Sequence, residues 1–183
     1  MNGTAGTAHA ALTHVMSRVP GPVTVVTTVD RAGRRWGFTA TSFSSLSLDP
    51  PLVLVCLNKT ASTHEAFTSA DRFLVNLLAQ GQDHVALRFA RSGADRFAEG
   101  DVEGDVVPCE LGLPGSPGAC ARLACALHAV LDGGDHSILV GRVLDTHADD
   151  DRTPLVYYGR TFTHPASALD LPDPLLSLHL ADW

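Results

Sequence analysis

The sequence predicts a mainly β domain, a closed antiparallel barrel with flanking helices. Three observations carry that expectation. Short β-branched or alternating segments dominate the chain, few helical patterns interrupt them, and there is neither a βαβ alternation nor an internal repeat. The 183 residues, 45% of them hydrophobic, suit one domain with an ordinary core.

Residues 8–18 read as a short helix with Leu12, Val15 and Met16 on one side, ended by Pro20-Gly21-Pro22. Residues 23–29 are a β-branched run of the kind strands favour. A turn at 30–33 follows, and residues 36–41 and 43–48 read as two further strands. Asp49-Pro50-Pro51 turns the chain into 52–57, a continuous apolar run that predicts a buried central strand. Residues 60–67 predict a helix, 73–77 a strand and 84–90 another helix. The stretch 93–118 is rich in Gly, Asp and Pro and predicts a long surface excursion. Residues 120–130 and 137–146 predict two long strands, joined by a hairpin turn at Asp132-Gly133-Gly134-Asp135. A last strand pair is expected at 155–162. The domain is taken as 11–163, and the leucine-rich tail, 164–183, is expected to pack on a neighbour.

The formal net charge of −7 argues against a general nucleic-acid binder. No stretch is long and apolar enough to predict a membrane span. Residues 1–9 lack the basic start and apolar centre of a secretory signal, so a cytoplasmic location is expected. The 4 cysteines, Cys56, Cys109, Cys120 and Cys125, form no C-x-x-C pair and read as small buried hydrophobes; no metal is expected. Asp149-Asp150-Asp151 reads as a solvated turn. No G-x-S-x-G elbow is present, and no G-x-G-x-x-G loop follows a strand, so any dinucleotide must bind without that device.

Four stretches carry candidate chemistry. Gly37-Phe38-Thr39-Ala40-Thr41-Ser42-Phe43-Ser44-Ser45 is mostly small or hydroxylated. Such a run leaves backbone N–H groups and hydroxyls free to meet a flat polar ligand; it also fits a threonine-rich edge strand. Asn58-Lys59-Thr60-Ala61-Ser62-Thr63 opens a predicted helix, and it reads either as an anion site or as plain capping. His136, in Gly134-Asp135-His136-Ser137, lies straight after a tight turn on the rim. It reads as a donor to a ligand or as an exposed hairpin histidine. Tyr157-Tyr158-Gly159-Arg160 suits ring stacking with a phosphate contact, or aromatics that close the core.

Taken together, three segments resemble the flavin reductase component of two-component flavin monooxygenases, the group that includes the 4-hydroxyphenylacetate and phenol hydroxylase reductases. The segments are 41–53 (Thr-Ser-Phe-Ser-Ser-Leu-Ser-Leu-Asp-Pro-Pro-Leu-Val), 134–143 (Gly-Asp-His-Ser-Ile-Leu-Val-Gly-Arg-Val) and Tyr157-Tyr158-Gly159-Arg160. The likeness runs from about residue 11 to 162. It implies an FMN-binding split β-barrel, a homodimer with flavin near the subunit interface. It implies that NADH or NADPH gives a hydride to FMN or FAD, and that reduced flavin passes to a separate monooxygenase.

The resemblance also assigns residues. Thr39, Ala40, Thr41, Ser42, Phe43, Ser44 and Ser45 would line the isoalloxazine. Cys56, Leu57, Asn58, Lys59, Ser62 and Thr63 would hold the ribityl chain and phosphate, and Arg88 with Phe89 matches a further flavin contact. His136 matches the histidine beside the nicotinamide. Tyr157, Tyr158, Gly159 and Arg160 match the segment that receives the pyridine nucleotide. Antibiotic biosynthesis and aromatic degradation are both common settings for this family. Three other readings stand beside it: a non-catalytic flavin-binding or flavin-sensing barrel, a pyridoxamine-phosphate oxidase relative, and an interaction domain built on the tail leucines.

Overall fold

The computed structural model describes residues 3–92, 96–97 and 106–165. In chain order the elements are α1 (Gly3–Met16), β1 (Gly21–Pro22), β2 (Thr24–Val29), β3 (Arg35–Ala40), β4 (Ser44–Leu48), β5 (Pro51–Asn58), α2 (His64–Thr68), β6 (Arg72–Leu77) and α3 (Asp83–Ala90). They continue as β7 (Val107–Pro108), a 3₁₀ turn (Glu110–Gly112), β8 (Pro114–Gly115), β9 (Ala121–Gly133), β10 (His136–Ala148), β11 (Val156–Tyr158) and β12 (Thr161–Thr163). Among the described residues no helix is long and apolar enough to cross a membrane.

The β-branched run forms β2, and β2 is the axis of the packing. Its alternation sends Val26 into one cluster with Phe38, Val53, Val55, Phe67, Phe73, Val75 and Leu139. Val25 points the other way, into a second cluster with Val85, Ala86 and Phe89 of α3. Covered on both faces, β2 also buries its threonines, and each hydroxyl finds a carbonyl. Thr24 Oγ1 donates to Ala40 O at 2.9 Å, Thr28 Oγ1 to Arg72 O at 2.6 Å, and Thr27 Oγ1 to Pro114 O.

The main sheet has seven strands in the order β3-β2-β6-β9-β10-β5-β4; β1-β11-β12 and β7-β8 form smaller sheets. All named pairs are antiparallel, as the sequence predicts. The expected closed barrel is not what the hydrogen bonding gives, because β3 and β4 end the ladder unpaired on their outer edges. The sheet still curls. Side chains of β3 and β5, near its two ends, meet in one cluster, and Cys56 N–H donates to Ser42 Oγ at 2.9 Å beside that meeting point.

Several boundaries differ from expectation for identifiable reasons. The predicted helix over 60–67 begins only at His64. Asn58 Oδ1 accepts from both Thr60 N–H (2.8 Å) and Thr60 Oγ1–H (2.7 Å), which holds residues 58–60 in a turn. The apolar run of β5 is second from the sheet edge, not central, and its burial alternates: Val53, Val55 and Leu57 are buried, while Leu52, Leu54 and Cys56 are half-buried. The expected surface excursion is partly core. Within it, Phe97 and Val106 are buried in the α3 cluster, and Leu113 packs on Leu74 and Ala124. Glu110 and Arg122 pin this segment with a bidentate ion pair at 2.9 Å, their side chains only 12% and 10% exposed. The tail beyond residue 165, predicted to pack on a neighbour, lies outside the described residues.

Candidate functional site

A cleft of about 340 Å³ opens where the two ends of the curled sheet face each other. Strand β3 and the residues after it supply Phe38, Thr39, Ala40, Thr41 and Ser42. The end of β5 and the turn beyond supply Cys56, Leu57, Asn58, Ala61 and Thr63. The end of α3 and the residues after it supply Phe89, Ala90, Ser92 and Arg96, and β10 supplies His136. The register between β10 and β5 sets His136 directly opposite Asn58 on the rim.

Each polar group in the cleft has a distinct situation. Thr39 Oγ1 donates to Ala86 O at 2.6 Å, so this hydroxyl ties β3 to α3 and is not free for a ligand, contrary to the expectation for the hydroxyl-rich run. Ser42 Oγ is held by Cys56 N–H. Asn58 spends its Oδ1 on Thr60, which leaves its NH₂ as the group able to donate elsewhere. Thr63 is fully buried, and its Oγ1 has no hydrogen-bond partner. An orphaned buried hydroxyl is costly and calls for an explanation. The residue lines the cleft, so a group seated there would be its partner.

His136 is oriented by its neighbour. Its Nδ1 lies 2.7 Å from Asp135 Oδ1, and His136 holds the Asp135 carboxyl below the usual carboxylate range. An ionised carboxylate only accepts, so Nδ1 carries the proton and Nε2 is left to address the cleft. A two-residue turn, Gly134-Asp135, makes this possible: Gly134 has φ +81°, open to glycine at no steric cost. Lys59 N–H donates to Asp135 O at 3.0 Å and fastens the turn to β5. Next to it, His64 Nε2 meets Ser137 Oγ at 2.9 Å and ties α2 to β10.

A second, larger cleft of about 630 Å³ adjoins the first and shares Thr41 and Ser42 with it. It is lined by Thr13, Met16 and Ser17 from α1 and the residue after it, by residues 19–22, and by Phe43, Tyr157 and Arg160. Gly159 N–H donates to Ser17 O at 2.9 Å and closes the β11–β12 hairpin against the end of α1. Gly159 and Arg160 both have positive φ, +60° and +66°, which turns the hairpin tightly.

The structure thus gathers ten of the sequence-derived residues at the first cleft: Thr39, Ala40, Thr41, Ser42, Cys56, Leu57, Asn58, Thr63, Phe89 and His136. Phe43, Tyr157 and Arg160 fall in the second, so His136 does not share a cleft with the tyrosine segment. Ser44, Ser45, Lys59, Ser62, Arg88, Tyr158 and Gly159 line neither. Ser44 and Ser45 are exposed on β4, and Ser62 is exposed in the turn. Lys59 is engaged with Asp132. Sequence reasoning missed Arg96, Ser92 and the α1 residues. Arg96 sits inside a Gly- and Asp-rich stretch without periodicity, and no local pattern marks it. Among the described residues no group of three or more His, Cys, Asp or Glu could hold a metal.

With this geometry in hand, similarity to known proteins is informative. The family described as "Flavin reductase like domain" matches residues 16–166. The actinorhodin polyketide dimerase of Streptomyces coelicolor is 41% identical over 157 residues, 86% of this chain and 86% of that protein. The NADH:riboflavin 5'-phosphate oxidoreductase of Streptomyces pristinaespiralis is 42% identical over 151 residues, 82% of this chain and 84% of that one. Some relatives are longer, and the chain spans 56% of one of them. Among solved structures, the NADH:FAD oxidoreductase of Streptomyces globisporus in complex with NAD and FAD fragments superposes with a TM-score of 0.81 at 36% identity, covering 90% of this chain and 96% of that chain. A match this long, with relatives this similar and a fold that superposes along nearly the whole chain, makes the protein a member of the flavin reductase-like domain family.

Proposed function

We propose that the protein is an NAD(P)H-dependent flavin reductase that holds FMN or FAD in the cleft at the sheet ends and supplies reduced flavin to a separate monooxygenase. The observation that carries this reading is the buried, unpartnered Thr63 hydroxyl in a cleft walled by Phe38, Ala40, Ala61 and Phe89, a polar hook inside a slot of apolar and small residues. The flavin, when bound, supplies the ring that accepts a hydride from NADH or NADPH.

The chain's own residues bind and orient. The segment Thr39 to Ser42 would border the ring, and Ser42, which accepts from Cys56 N–H, ties that segment to β5. Asn58 and Thr63 donate to the ribityl and phosphate end. His136, its Nδ1 proton committed to Asp135, turns Nε2 toward the nicotinamide carboxamide or phosphate. The second cleft, with Tyr157 and Arg160, would receive the rest of the pyridine nucleotide, and it shares Thr41 and Ser42 with the first. No acid–base residue is required, because hydride transfer between stacked rings needs alignment above all.

We further assign the protein a split-barrel homodimer. In support, the outward face of β5 and β10 carries half-buried Leu52, Leu54 and Ile138, with exposed Leu131 opposite Ile138 on β9. A face this apolar suits a second copy of the same surface. Steady-state NADH and NADPH oxidation with added FMN or FAD tests the enzymatic reading. Turnover that depends on flavin supports it; tight flavin binding without nicotinamide oxidation would support the flavin-sensing alternative.

A further inference from the structure

Neither His64 nor Ser137 lines either cleft, yet each directly follows a residue that does: Thr63 and His136. His64 Nε2 and Ser137 Oγ lie 2.9 Å apart, and this contact bridges the start of α2 to the start of β10. Ser137 is only 5% exposed, and the imidazole is the one partner of its hydroxyl among the described residues. The rest of each element is secured elsewhere. Ala66 and Phe67 anchor the body of α2 in the core. The ladder sets His136 opposite Asn58 and Ser137 opposite Leu57. These anchors leave the front of α2 to be placed. The helix has only 5 residues, and Thr63, at its capping position, makes no side-chain cap bond. The helix itself therefore does not fix the Thr63 hydroxyl, which is buried, unpartnered and beside the cleft. The turn bonds ahead of it, Ala61 N–H to Asn58 O and His64 N–H to Ala61 O, stay within the same segment. The His64 side chain is the bond that leaves this turn for β10.

We propose that His64 is a positioning residue for hydride transfer: through Ser137 it holds the front of α2, with Thr63, and the rim of β10, with His136, in one fixed relation. This rests on the flavin-reductase reading above, in which Thr63 meets the flavin and His136 the nicotinamide. The bridge touches neither ligand and acts on their alignment. Transfer between two rings falls steeply with misplacement, about 100-fold for a shift of 1 Å. Affinity for each ligand is spread over many contacts. Loss of the bridge therefore slows transfer inside the assembled complex far more than it weakens binding. A side chain that only supports the fold gives the opposite result, lower stability with an unchanged rate in the protein that remains folded.

The test is anaerobic stopped-flow reduction of protein-bound flavin by saturating NADH or NADPH, with flavin titration and a thermal midpoint beside it. It uses the full chain, unaltered and as His64→Ala, Ser137→Ala, the double variant and His64→Gln. His64→Ala and Ser137→Ala each lower the rate constant of flavin reduction roughly 10-fold, as for a shift of about half an ångström, while flavin affinity changes far less. The double variant is no slower than either single one, because both remove the same bond. His64→Gln recovers most of the rate, since its amide nitrogen reaches the place of Nε2 and its amide can donate or accept. Unchanged rate constants in the single variants, even with a lower midpoint, make the bridge a strut, and the proposal fails. It also fails if His64→Gln is as slow as His64→Ala, or if the double variant multiplies the two losses. Should His64→Ala not fold, Ser137→Ala, which removes one oxygen atom, decides the matter alone. An unaltered protein that binds flavin and does not reduce it overturns the flavin-reductase reading itself.

Discussion

Thr63 is worth more to a complex than to the free protein. Without ligand, its buried hydroxyl has given up water and gained no partner, at a cost of about 1–3 kcal/mol. Valine keeps the shape and removes the polar atom. Thr63→Val should therefore raise the melting temperature of the flavin-free protein and weaken flavin binding by about 5-fold, near 1 kcal/mol. Calorimetry and a flavin titration read the two opposite signs; a purely structural threonine would lose stability without losing flavin. His136→Ala makes the complementary case. It should impair NAD(P)H oxidation and leave flavin affinity nearly intact, and flavin binding lost with hydride transfer normal would refute the role given to the imidazole.

At this scale the sequence is uneven as a guide. The rim position of His136 follows from a two-residue turn and can be read directly. The hydroxyls cannot: Thr39 and Thr63 look alike in sequence. One bonds Ala86 O of α3 and the other finds no partner among the described residues, an outcome set by packing between distant elements.

Elements are joined at a few tight places. Gly37 lies under the Phe89 ring, and a Cβ there would stand 2.6 Å from it. Gly37→Ala must push α3 off β3, with a loss of roughly 1–3 kcal/mol and, because Phe89 lines the cleft, a weaker hold on flavin. Chemical denaturation alongside flavin titration checks both effects.

The 106–118 segment depends on the Glu110–Arg122 pair in a similar way. The Arg122 guanidinium holds the Glu110 carboxyl below its ordinary value of 4.5. The unfolded chain lacks this partner and takes up the proton first as pH falls. The stabilisation is therefore complete above about 4.5 and is lost as pH drops through the lower folded value. Urea midpoints should fall across that acidic window. Glu110→Gln should flatten part of the slope and, by stranding a largely buried arginine, cost about 3 kcal/mol at neutral pH.

The predicted excursion over 93–118, to which this segment belongs, marks a limit of sequence reading. Its Gly, Asp and Pro content has no periodicity, yet Leu113 and Phe97 are buried, since tertiary packing and not local pattern decides their place. The strands were legible from β-branching and turn chemistry. The start of α2 was not, because Asn58 captures Thr60 in a turn ahead of it.

For the whole molecule, alternation and turn spacing predicted an antiparallel β domain, but whether its sheet closes depends on which strands end the ladder, and no single strand encodes that. The open order from β3 to β4 brings β3 and β5 face to face, and the cleft forms there. The outward apolar face of β5 and β10 predicts a dimer in solution. Ile138→Glu should shift it to monomer by light scattering on a sizing column, and a wild-type monomer would contradict the assignment. The most direct measurement of the central claim is anaerobic mixing of the protein with FMN or FAD and with NADH or NADPH, in all four combinations, following the visible flavin absorption. The account predicts that at least one combination bleaches the flavin as an equal amount of nicotinamide is oxidised. Flavin that binds and keeps its colour with both nicotinamides would contradict it.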